Sequence, residues 1–345
     1  MSAMNRRNLL KGMALAGAGA FLPGCATVGK GAARNDDGRF TFLHLTDLHV
    51  RRKRRGDDGY RACVAHVRQL ERQPEFALMG GDMAFDGLYT AKEEFDDQIE
   101  VFRSISDTLG MPWHPCIGNH DLLGWSARRK VTLDDPELGK VMIMNRLGMK
   151  APYYSFAHQG WHFVVLDSQF RKEADHGPEY EPRLGEEQLD WLAKDLGRAN
   201  KPTVCVSHHA AFYNIPAGEG NEEAKAMAPG MVLRDVKDLR HLLERHGVKA
   251  LLQGHSHRTE DYIYRGVAYL TSPAVSSCWW GGTWNGFPQG YTILTCHDER
   301  LTWERVNFPW EHHLEPEDEL ERKRQAEWDA FEAEQARLLE EERRA

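Results

Sequence analysis

The chain has 345 residues, enough for one large domain or two ordinary ones with a core that folds unaided. It is 41% hydrophobic and 28% charged, with Lys plus Arg at 44 against Asp plus Glu at 52 and a net charge of −8. That is the composition of a soluble globular protein, and its acidic balance argues against non-specific nucleic-acid binding, which needs a clustered positive surface. If the substrate is an anion, the attracting charge must be local, and bound metal ions would supply it. The six cysteines form no C-x-x-C pair, so neither a zinc ribbon nor a thioredoxin motif is present, and they read as buried small hydrophobes.

In chain order, residues 1–35 read as an address rather than as fold. A basic stretch around Arg6, Arg7 and Lys11 precedes a short apolar run rich in Gly and Ala, the layout of a secretory signal. The run is too short to span a bilayer as a permanent helix. The paired arginines followed by Leu9 and Leu10 resemble a twin-arginine export signal, which implies the twin-arginine machinery as a partner and an exported, periplasmic location. Leu22-Pro23-Gly24-Cys25 also fits a lipoprotein cleavage box, although Pro23 is unusual there. Soluble release and a lipid anchor at Cys25 both stay open.

From Arg39 onward apolar runs alternate with amphipathic segments. Strands are expected at 40–45, 76–79, 113–117, 161–166, 203–206 and 249–252, and helices at 60–73, 92–109, 185–199 and 232–246. Such alternation predicts an α/β layered fold. Between 261 and 306 the helical pattern gives way to short strands with Gly turns, so the sheet should finish antiparallel. Residues 128–139 form a basic, Pro-containing loop that reads as an insertion. Residues 36–312 would make the catalytic domain, and 313–345, dominated by Glu, Arg, Lys, Ala and Gln, a solvated helical tail.

The chemistry sits just after the expected strands. Asp47-Leu48-His49 follows the first, Gly81-Asp82 the second and Gly118-Asn119-His120-Asp121 the third; Ser207-His208-His209 and Gly254-His255-Ser256-His257 follow the strands at 203 and 249. Loops at the carboxyl ends of strands converge on the ligand crevice of an α/β sheet, so these blocks should meet in space. Carboxylate, imidazole and amide oxygen suit a borderline divalent metal. At i and i+2, both side chains of Asp-x-His or His-x-His can enter one site. Glycines before Asp82, Asn119 and His255 let the backbone turn sharply and approach an ion. Each block alone is a weak signal; all of them together, in this order, are not.

This order of blocks resembles the calcineurin-like metallophosphoesterase superfamily over roughly residues 40–296. The resemblance implies a four-layer α/β/β/α sandwich of two mixed sheets with a dinuclear metal site at the carboxyl ends of the strands. It assigns Asp47, His49, Asp82 and His257 to one metal, with Asp82 bridging to a second that also takes Asn119, His208 and His255. His208 is favoured over His209 as the first His of its block. His120 would contact the phosphoryl group and protonate the departing oxygen after attack by a metal-bridging hydroxide. Asp121 is placed either to orient His120 or to serve as a plain turn residue. Asp167 and His158 lie near strand ends but outside the pattern and read as structural.

Purple acid phosphatases carry Asp-x-Gly in the first block and a Tyr three residues after the second Asp, where this chain has His49 and Phe85. Calcineurin-type protein phosphatases have Gly-Asn-His-Glu where Asp121 stands here. The match is better to bacterial phosphodiesterases of the cyclic-nucleotide and glycerophosphodiester type. The expected function is hydrolysis of a small anionic phosphoester, more a diester than a monoester, using two divalent ions chosen among Mn, Fe and Zn by availability. A phosphomonoesterase, a nuclease and a metal-stabilised binding protein without turnover are the alternatives. Cys278-Trp279-Trp280-Gly281 and Trp284 form either a wall of the substrate cleft or a buried cluster beneath the site.

Overall fold

The computed structural model describes residues 38–213 and 230–344, so the export signal and Cys25 lie outside the described residues. In chain order the elements are β1 (Phe40–Leu45), α1 (Gly56–Arg68), β2 (Ala77–Met79), α2 (Lys92–Ser106), β3 (Trp113–Pro115), α3 (Val141–Leu147), β4 (Tyr154–His158) and β5 (Trp161–Val165). They continue with β6 (Gln169–Ala174), β7 (Gly177–Pro182), α4 (Glu186–Ala199), β8 (Thr203–Val206), α5 (Val236–Arg245) and β9 (Ala250–Gln253). The chain closes with β10 (Glu260–Tyr264), β11 (Val267–Thr271), β12 (Tyr291–His297), β13 (Arg300–Val306) and α6 (Glu319–Arg344).

Two mixed sheets result. One has five strands in the order β13-β12-β1-β2-β3, the other six in the order β10-β11-β9-β8-β5-β4, and β6 and β7 form a separate hairpin. β1, β2 and β3 are parallel, as are β5, β8, β9 and β11, whereas β4, β10, β12 and β13 pair antiparallel with their neighbours.

Strand side chains alternate between two cores, which is why the expected strands read as mainly apolar runs rather than as strict apolar–polar alternation. Phe40, Phe42, Phe76 and Leu78 meet Phe163, Val165, Val204, Val206, Ala250 and Leu252 between the sheets. Leu43, Leu45, Ala77 and Met79 face α1, α2 and α3 on the outer side of the first sheet. Val164, Cys205 and Leu251 face α4 and α5 on the outer side of the second. The four layers are therefore α/β/β/α.

The helices stop a few residues earlier than expected: α1 gives way at Gln69, and α2 tightens into a 3₁₀ turn over Asp107–Leu109 before Gly110, whose φ is +79°. The short α3 and the hairpin β6–β7 carry too weak a periodicity to be read from sequence. Half of the tail expectation changes as well. α6 is helical and largely solvated, but its first turns pack on the body. Cys63, Cys116, Cys205, Cys278 and Cys296 are all buried free thiols. Among the described residues no helix is long and apolar enough to cross a membrane.

Candidate metal centre

Every candidate ligand lies on a loop leaving the carboxyl end of β1, β2, β3, β8 or β9. Parallel pairing of β1 with β2 and of β2 with β3 brings the first three loops side by side. Parallel pairing of β8 with β9 does the same for the last two. The backbone there is strained: Asp47 (φ 53°), His49 (43°), Asp82 (51°), His255 (67°) and His257 (54°) are all left-handed. Non-glycine residues hold such φ only where the surroundings compel it, and they cluster at functional sites. Gly81, before Asp82, makes the expected sharp turn at φ 100°, while the other two glycines have a different task. Gly118 and Gly254 lack room rather than a special φ: a Cβ on Gly118 would lie 2.2 Å from Asp82 Oδ1, and one on Gly254 2.7 Å from Asp47 Oδ2.

The side chains gather into two groups. Asp47, His49 and His257 offer ligand atoms within 4.8 Å of one another, and so do Asp82, His208 and His255. Asp82 stands between the groups, with Oδ2 3.5 Å from His49 Nε2 and 3.2 Å from His208 Nε2. Its other oxygen accepts the His120 N–H at 2.8 Å. Asn119 Oδ1 lies 3.1 Å from His208 Nε2. The loops thus bring Asp47, His49, Asp82, Asn119, His208, His255 and His257 to one place.

The donor set fits a pair of cations. His49 Nδ1 donates to the Phe85 carbonyl at 3.2 Å, His208 Nδ1 to that of Gly80 at 2.9 Å, and His257 Nδ1 to that of Ser277. That tautomer leaves each Nε2 as a lone pair pointing inward. His49 Nε2 and His257 Nε2 then face each other at 3.1 Å with carboxylate oxygens beside them, an arrangement of acceptors that needs positive charge among them. Burial alone would push His208 down, yet Asp82 beside it raises its pKa to about 9. His255, with burial dominant, falls to about 3.

His209 stays out of both groups. Its Nδ1 meets Ser168 Oγ at 3.0 Å and Gln169 Nε2 at 3.2 Å, and its ring lies 4.2 Å from that of His255, where it backs the site. Asp121 does not touch His120. Its carboxylate accepts from the N–H groups of Met83, Ala84 and Gly118 at 2.9–3.0 Å and so ties the loops after β2 and β3 together. Burial and then Asp82 push its pKa up to about 7. The residue on His120 is Asp86, 3.1 Å from Nδ1, and its carboxylate also accepts from the N–H groups of Leu88 and Tyr89. Sequence reasoning missed Asp86, which stands four residues after Asp82 in a stretch with no ligand spacing. Burial would lower the pKa of His120, but Asp82 and Asp86 outweigh it and raise it.

Asp167 pairs with Lys140, and His158 with Glu75 at 2.6 Å, both structural. The tryptophan loop places one ring beneath the site and one beside it. Trp280 is fully buried beneath the site and donates from Nε1 to the Leu48 and His49 carbonyls at 3.0 and 3.1 Å. Trp279 is half-buried, with its ring 4.4 Å from His257 and 5.6 Å from His49.

A four-layer sandwich that gathers two buried His/Asp groups at the ends of its strands defines a hydrolase of the two-metal class. The sequence model of the calcineurin-like phosphoesterases matches residues 40–259, and the chain belongs to that family. It is 28% identical over 244 residues to a "Probable cyclic nucleotide phosphodiesterase" of Synechococcus, covering 68% of this chain and 80% of that one. To the 3′,5′-cyclic adenosine monophosphate phosphodiesterase CpdA of Escherichia coli it is 24% identical, over 69% of this chain and 77% of that one. It is also 28% identical to the tartrate-resistant acid phosphatase type 5 of rat, over 61% of this chain and 63% of that one. The family is dinuclear, and the two side-chain groups are its candidate metal sites here.

Proposed function

We propose that this phosphoesterase hydrolyses phosphodiesters in preference to monoesters, with Asp47, His49, Asp82 and His257 holding one divalent ion and Asp82, Asn119, His208 and His255 the other. The position of Asp82 Oδ2, within reach of both groups, carries this reading. Bound there, the ions would supply Lewis acidity toward the phosphoryl oxygens and acidify a water for in-line attack. The chain's own residues do the rest. Asp82 Oδ1 holds the backbone of His120, and Asp86 on Nδ1 fixes its ring, so that Nε2 bears the proton for the departing oxygen. The preference for diesters draws on phosphodiesterases among the relatives, those of Synechococcus and Escherichia coli included.

The twin-arginine pattern and the segment ending at Cys25 support export to the periplasm, with or without a lipid anchor, as the second part of the proposal. Metal-stripped protein refilled with Mn, Fe or Zn should turn over bis(p-nitrophenyl) phosphate faster than p-nitrophenyl phosphate. His120→Ala should lower kcat about 100-fold or more while the metal stays bound. A faster monoester would reverse the preference, and an unaffected His120→Ala would remove that residue from the chemistry.

A further inference from the structure

The loop that carries Trp279 is strained. Trp279 and Trp280 hold φ of 46° and 67°, a conformation that bulky residues avoid unless neighbours impose it. Trp280 is pinned from below by the two carbonyls of the first metal loop. Trp279 is held from the other side by Arg54, which the C-terminal tail grips in turn. The Arg54 guanidinium donates to the Trp279 carbonyl at 3.3 Å and binds the Asp318 carboxylate at both oxygens at 2.8 Å. Arg54 and Asp318 are both buried, at 7% exposure each, so the pair is a charge-assisted clamp rather than a surface contact.

Three further contacts continue this clamp along α6. The Arg324 guanidinium lies 4.9 Å over the ring of Trp284, which stands edge-on to Trp279 at 5.1 Å. Gln325 Oε1 accepts the Thr283 N–H at 3.0 Å, and a Cβ on Gly282 would lie only 2.1 Å from that oxygen. Trp328 lies so close to Gly286 that a Cβ there would come within 2.2 Å of its ring. Glu321, Arg324, Gln325 and Trp328 are half-buried at helical spacing, whereas the described residues from Asp329 on are all exposed. A tail that needed only solubility would have no such stripe.

We propose that residues 315–328 are a strap that sets the rings of Trp279 and Trp284 as one wall of the substrate cleft, and that this wall takes a planar ester group of the substrate. Arg54, Asp318 and Arg324 are then positioning residues. The inference rests on the phosphoester reading for its substrate but not for its test.

Phenylphosphonate and methylphosphonate, titrated calorimetrically into the Mn-loaded full-length protein, report the wall without turnover. Wild type should bind the phenyl compound about five- to tenfold more tightly. Trp279→Leu should abolish most of that ratio. Asp318→Asn and Arg324→Met should do the same while methylphosphonate affinity and metal content stay unchanged. Among the described residues the Arg324 guanidinium meets Trp284 and Cys278, so Arg324→Met tests the strap even if Asp318→Asn disturbs folding. A phenyl preference untouched by either strap variant, or absent from wild type, would overturn the proposal. A phenyl preference present in wild type and lost in the strap variants, together with no turnover of bis(p-nitrophenyl) phosphate, would sink the hydrolytic reading and leave the wall standing.

Discussion

At the scale of single residues, the site works by packing acceptors closely and orienting each from behind. Gly118 shows how little slack there is, because any Cβ would meet both the N and the carboxylate of Asp82 at 2.2 Å. Gly118→Ala should therefore fold but lose at least one of about two ions per chain, read by metal analysis of the purified protein. Unchanged metal content would mean that the loop relaxes. Asp86→Asn tests the orienting contact on His120. It should lower kcat about 10- to 100-fold with KM and metal content intact. The ligands were legible in sequence because Asp-x-His, Gly-Asn-His and Gly-His-x-His are local patterns. Asp86 was not, because its role depends on a turn that returns it to His120.

At the scale of elements, the inter-sheet core does the holding. Phe163 sits fully buried among Phe40, Phe42, Phe76 and Phe156, at ring separations of 5.0–6.3 Å. Phe163→Ala should cost about 3–5 kcal/mol, read as a lowered urea midpoint, because the cavity cannot close between two rigid sheets. The strands of this core were the easiest elements to foresee. Burial on both faces leaves few polar positions in them, such as Thr41 and His44 in β1. The hairpin β6–β7 escaped notice for the opposite reason: its strand Gln169–Ala174 is mostly exposed and carries almost no apolar pattern.

At the scale of the whole molecule, the tail and the body are joined by charge. The Arg54 hydrogen bond holds the Asp318 carboxyl down at about 2, against 3.8 for a free Asp. A depressed carboxylate stabilises the folded form above the unfolded pKa, and that contribution is lost as pH falls through the folded value. Docking of the tail should thus be complete above about pH 4 and fail between pH 4 and 2. Pepsin, active across that window, should cleave wild type as slowly as a docked tail allows at pH 4 and as fast as Asp318→Asn at pH 2. Equal rates at pH 4 would show that the clamp contributes nothing to docking.

What the sequence determined by itself was the alternation of elements, the order of the ligand blocks and the chemistry those ligands permit. Each of these is written in near neighbours: periodicity for the strands, i and i+2 spacing for the ligands. The family resemblance had already set Asp82 between two metals and His208 ahead of His209; the tertiary structure alone decided that Asp86 rather than Asp121 holds His120. It also decided that a tail read as solvent-facing has one face on the tryptophan loop. Those facts join residues as far apart as Arg54 and Asp318, and no local pattern encodes a contact whose partners meet only once both sheets have formed.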